Sequence, residues 1–111
     1  MPSLRFAVRA AAISVFAFVA VGVAHAGAPG VAIAINNFMF APMDVSVHAG
    51  TTVTWTNNDD IPHTVRAVDG SFHSPAMDTD DHYSFTFTKP GVYSYFCSIH
   101  PKMVAKVVVT K

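Results

Sequence analysis

Cysteine is nearly missing from this chain: Cys97 is the one thiol in 111 residues. A lone thiol cannot close an internal disulfide, so the staple on which small exported domains often depend is excluded. Basic residues form no run or stripe, which removes the electrostatic footprint expected of a protein that binds nucleic acid or an anionic membrane surface. No His-x-His pair occurs and there is no second cysteine, so centres that need clustered histidines or paired thiolates are excluded as well. Long apolar runs are also wanting. The longest, Ala10 to Val23, falls short of the roughly 20 residues a membrane-spanning helix requires.

That run has another use. Residues 1–9 carry Arg5 and Arg9 and no acid, the apolar stretch follows, and Ala24-His25-Ala26 supplies a small-x-small cleavage pattern. Together these predict a secretory signal peptide over 1–26 and a mature domain over 27–111. The leader has no adjacent arginine pair, so export of the unfolded chain to the periplasm is expected. The mature part sets Arg66 and four lysines against seven aspartates, a net charge of −2. Its 85 residues suffice for one core and one domain, with a stability margin thin enough for a bound metal to matter.

What remains is rich in β-formers. Val31 to Asn36, Asp44 to Ala49, Thr52 to Thr56, Tyr83 to Thr88, Val92 to Phe96 and Val104 to Thr110 alternate or cluster Val, Thr, Tyr and Phe in short runs. Ala49-Gly50, Asn57 to Asp60, Asp69-Gly70 and Lys89-Pro90-Gly91 supply the turns between them. The spacing predicts an all-β fold, an antiparallel sandwich or barrel of seven or eight strands, and of these a Greek-key sandwich is expected. The stretch from Ser71 onward, with Pro75 and several aspartates, reads as a loop.

A lone cysteine is most often a small buried hydrophobe. Here it opens Cys97-Ser98-Ile99-His100-Pro101-Lys102-Met103, which puts a thiol, an imidazole and a thioether at intervals of three in one loop. His63 follows Pro62 at the expected start of a strand after the Asn57 to Asp60 turn, and in a Greek-key sandwich that strand end shares a pole with the Cys97 loop. Singly, His63, His100 and Met103 are more often capped, solvated or core residues. As a set, two imidazoles, a thiolate and a distant thioether describe a blue-copper site, and a structural zinc site would not take Met as its fourth ligand.

The residues Phe38 to Pro42, Gly50 to Asn57, Pro62 to Val65 and Tyr93 to Met103 resemble the cupredoxins, the blue type 1 copper proteins, and most of all their amicyanin branch, with plastocyanin and pseudoazurin features. The two-residue gaps on either side of His100 are similar to the compact amicyanin ligand loop. The resemblance implies one type 1 copper held by His63, Cys97, His100 and Met103, in a monomeric carrier of single electrons. It implies transient redox partners such as a dehydrogenase, a cytochrome c or a reductase, with His100 nearest the surface. Thr64 stands where many relatives carry an asparagine that ties the first histidine to the cysteine loop, and a hydroxyl is expected to tie it less fully. Pro62, Pro101, Met39 and Met43 are candidates for an apolar docking collar. The rival function is a copper carrier or storage protein, with His73, Met77 and His82 as candidates for a second, looser site. A copper enzyme is disfavoured, because four protein ligands leave no open position for substrate.

Overall fold

The computed structural model describes residues 29–111, and the expected leader lies outside the described residues. Eight strands follow in order: β1 (Val31–Asn36), β2 (Met39–Ala41), β3 (Asp44–His48), β4 (Thr51–Asn57), β5 (Arg66–Ala67), β6 (His82–Phe87), β7 (Gly91–Phe96) and β8 (Val104–Thr110). They form two four-stranded sheets, ordered β2-β1-β4-β6 and β3-β8-β7-β5. The all-β sandwich is as expected, but the pairing is not wholly antiparallel. β1 runs parallel to β4, with Ile35 opposite Asn57, and β3 runs parallel to β8.

Period-two alternation decides which face each strand buries. Along β4, Thr51, Val53, Trp55 and Asn57 point inward, and along β8, Ala105, Val107 and Val109 do so. Ile33 and Ile35 from β1, Phe87 from β6 and Tyr95 from β7 complete the apolar layer. Its centre is aromatic. Trp55 stacks on Phe72 at 5.7 Å between centroids and meets Tyr95 edge-on at 5.5 Å, while its indole N–H donates to the Tyr95 hydroxyl at 3.1 Å. That bond joins the two sheets across the core. It satisfies two polar groups that could not stay buried unpaired.

The register brings four chain segments to one pole. β4 ends at Asn57, β7 delivers Cys97, β8 starts just after Met103, and the β1–β2 turn at Asn37 and Phe38 lies beside them. Asn57 is fully buried and organises this end. Its side-chain amide donates to the carbonyls of Ile61 and Met77, both at 2.9 Å, and its oxygen accepts the Asp59 N–H at 2.9 Å. His63 does not begin a regular strand, contrary to the sequence expectation. It makes an isolated antiparallel bridge with Met77, and its amide and carbonyl are both used there.

Candidate metal centre

Three of the four expected ligands converge. One donor atom each from His63, Cys97 and His100 lie within 4.8 Å of one another, with His63 and Cys97 fully buried and His100 partly so. Cys97 Sγ is 3.8 Å from His63 Nδ1 and 3.7 Å from His100 Nδ1, so both imidazoles turn the same nitrogen toward the sulfur. Met103 is buried at the end of the same loop. Its carbonyl accepts the Cys97 N–H at 3.1 Å and its own N–H donates to the His100 carbonyl at 2.9 Å, so the loop closes on itself and pins the backbone of these expected ligands.

Thr64 keeps the tie that its side chain was expected to loosen. Its hydroxyl oxygen accepts the Ser98 N–H at 2.7 Å and pairs with the Ser98 hydroxyl at 2.8 Å. Its backbone N–H points at Cys97 Sγ from 3.4 Å. A hydroxyl suffices because Ser98 supplies both partners, one from its backbone and one from its side chain.

These contacts set the thiol chemistry. Burial pushes the Cys97 thiol up, but the Thr64 amide and the two histidines favour the thiolate more strongly and bring its pKa from 9.0 down to about 6. The unfolded chain therefore holds this proton to higher pH than the folded chain does. The metal-free folded state gains stability as pH rises from about 6 toward 9.0, and loses that contribution as pH falls through about 6. Thiolate ultraviolet absorption of the metal-free protein should accordingly appear with a midpoint at about pH 6. A midpoint in the ordinary thiol range would show that the contacts do not act this way.

Two residues of the site were not singled out from sequence. Asp59 Oδ2 lies 2.8 Å from His63 Nε2 and accepts the Phe38 N–H at 2.9 Å, while Oδ1 accepts the Asn37 N–H at 2.6 Å. Burial works to raise the Asp59 pKa but is outweighed by the Phe38 and Asn37 amides and by His63, so the carboxyl lies below its usual value. Phe38 has φ 59°, which is costly for a bulky side chain, and places its ring edge-on to both His63 at 5.4 Å and His100 at 5.2 Å. A carboxylate four residues before a candidate ligand was the available signal for Asp59. An asparagine followed by phenylalanine gives no comparable signal of a left-handed turn.

Around His100 the surface is apolar. Phe38, Ile99, Pro101 and Met103 line a shallow depression with His100 and Lys102. Met39 and Met43, named as collar candidates, are about half exposed and flank a neighbouring depression that also reaches Met103. His73, Met77 and His82 do not assemble: Met77 is buried in the core, whereas His73 and His82 are exposed. Among the described residues, His63, Cys97 and His100 are the one group of three or more His, Cys, Asp or Glu side chains placed to share an ion. Two imidazoles and a pre-formed thiolate with a buried thioether nearby fit copper, soft enough for Cu(I) and borderline enough for Cu(II).

Comparison with known proteins agrees. The profile of the copper-binding proteins of the plastocyanin/azurin family matches residues 29–110. Amicyanin-alpha of Methylorubrum extorquens is 36% identical over 98% of this chain and 99% of its own. The amicyanin of Paracoccus denitrificans is 39% identical over 68% of this chain and 61% of its own. A purple cupredoxin from Nitrosopumilus maritimus superposes with a TM-score of 0.67 at 35% identity, over 72% of this chain and 99% of that one. A Cu(I) form of a variant amicyanin does so with a TM-score of 0.69 at 34% identity, over 73% and 82%.

Proposed function

Because this chain belongs to the plastocyanin/azurin family of copper-binding proteins, we propose that it carries single electrons between periplasmic redox proteins, with copper held by His63, Cys97, His100 and Met103. The observation that carries this reading is the asymmetry of the cluster. His63 and Cys97 are sealed, and His100 alone reaches the surface, inside an apolar depression. Copper bound there supplies one-electron chemistry by alternating between Cu(II) and Cu(I).

The chain's own contribution is to hold the donors ready. Thr64 fixes the sulfur, the Cys97 and Met103 amides close the loop, and Asn57 locks the turn that leads to His63. A cluster already assembled without the ion needs little rearrangement when the charge at its centre changes, and small rearrangement favours fast exchange. The Phe38, Ile99 and Pro101 surface then serves as a contact patch for a redox partner such as a dehydrogenase, a cytochrome c or a reductase. Small apolar patches of this kind suit encounters that must release quickly. Replacing Pro101 with glutamate should slow electron exchange with such a partner several-fold and leave the blue colour intact. Equal rates for the two proteins would remove the docking assignment.

The same reading places the leader at 1–26 and the working domain at 27–111, exported and monomeric. Burial of two ligands also speaks against a copper carrier that hands over the ion, since release would require the Cys97 loop to open. Challenge with a modest chelator separates the two roles. Retained copper with reversible bleaching by reductant fits electron transfer, and rapid loss of the ion fits delivery.

A further inference from the structure

A single carboxylate touches both halves of this pole. Asp59 is itself fastened on each side, its N–H donating to Asn57 Oδ1 at 2.9 Å and its carbonyl accepting the Thr79 hydroxyl at 2.7 Å. Its side chain, 12% exposed, reaches His63 Nε2 and the amides of Asn37 and Phe38, residues more than twenty positions earlier in the chain. Neutral imidazole carries its proton on one nitrogen, and the partner on the far nitrogen decides which. A carboxylate at Nε2 holds a proton there and leaves Nδ1, the nitrogen turned toward Cys97, as the one available to a metal. Without that acceptor the buried ring could place its proton on Nδ1, against the sulfur.

We propose that Asp59 is the positioning residue of the metal centre: its carboxylate fixes the His63 ring with Nδ1 toward Cys97 and, by accepting the two amides of the left-handed Asn37-Phe38 turn, seats the Phe38 ring against both imidazoles. The proposal rests on the copper reading above for its second consequence, which is electrostatic. A negative charge fastened one imidazole away from the ion favours Cu(II) over Cu(I), so the carboxylate lowers the reduction potential.

The test uses Asp59→Asn, which keeps an acceptor oxygen for the turn and removes the charge, together with Asp59→Ala. In the copper-free wild-type protein at neutral pH, imidazole nitrogen shifts should place the His63 proton on Nε2, and in Asp59→Ala that preference should be lost. Asp59→Ala should also bind Cu(II) roughly 10–100-fold more weakly by chelator competition, the usual cost of removing a partner behind a metal ligand. Asp59→Asn should remain folded and blue, with a reduction potential higher than that of the wild type. A residue that merely held the turn would leave the potential of Asp59→Asn unchanged, and that result overturns the proposal. An unchanged His63 proton position in Asp59→Ala overturns it as well. Should the wild-type protein take up no copper at all, the copper reading falls, while the imidazole measurement on the metal-free protein still decides the positioning role.

Discussion

Cys97→Ser should give a folded protein that stays colourless with Cu(II) and binds the ion more weakly by well over the 10–100-fold that loss of an outer partner costs. The sulfur is the hub of the cluster. Both histidines turn Nδ1 toward it, and the Thr64 N–H is aimed at it from 3.4 Å. With a pKa near 6 the thiol is already largely thiolate at neutral pH, so it meets the metal without a further deprotonation cost. A serine hydroxyl in the same place stays protonated and offers a hard neutral oxygen, which satisfies neither the colour-giving sulfur-to-copper charge transfer nor the preference of Cu(I) for soft ligands. The side chain is nearly the same size, and the Thr64 amide keeps an acceptor, so circular dichroism should report an intact sheet signal. An intense blue band surviving in Cys97→Ser would show that the ion sits elsewhere and would end the proposed assignment of ligands.

How legible this site was depends on how its parts are spaced along the chain. Cys97, His100 and Met103 fall in one loop of seven residues, so their closeness along the chain needs no tertiary information beyond a hairpin. His63 lies 34 positions away, and its place at the same pole followed from the sandwich expectation and from the resemblance. The strands with full alternation, such as β4 and β8, were readable because one face of each is buried. β2 has three residues and β5 has two, too few to display any period. The parallel pairing of β1 with β4 and of β3 with β8 was not readable, because inward-outward alternation looks the same in either direction. Asp59 sits in a run of turn-forming residues, Asn57 to Asp60, and reads there as one more turn aspartate. Nothing in the sequence signals that the Asn37-Phe38 turn, more than twenty positions earlier, closes on the same carboxylate. Thr64 misled for a related reason, since the sequence shows the lost carboxamide but not the Ser98 groups that meet the hydroxyl.

The largest effect on folding should come from Trp55→Ala. Trp55 is fully buried on β4, packed against Phe72, Tyr83, Phe87 and Tyr95, and its indole N–H is bonded to a tyrosine on the opposite sheet. Truncating a buried tryptophan to alanine costs about 3–5 kcal/mol, through lost transfer energy and the cavity left behind. The Tyr95 hydroxyl would lose its donor in a place so buried that its pKa is pushed up to about 12. Native domains hold only about 5–15 kcal/mol in total, and one this small lies toward the lower end. In a domain of this length each kcal/mol moves the melting temperature by about 4–8 °C, so the copper-free variant should melt some 12–40 °C below the copper-free wild type. Copper acts on the same equilibrium from the other side, because the assembled donors exist only in the folded chain. Free ion at a thousand times its dissociation constant adds about 4 kcal/mol to the native state, comparable to what the substitution removes. Scanning calorimetry of Trp55→Ala with and without copper should therefore show a weak or missing transition restored by the metal. A variant that melts within a few degrees of the wild type, or a transition that copper leaves in place, would show that the two sheets are not joined through Trp55 or that the metal pole is not coupled to the core.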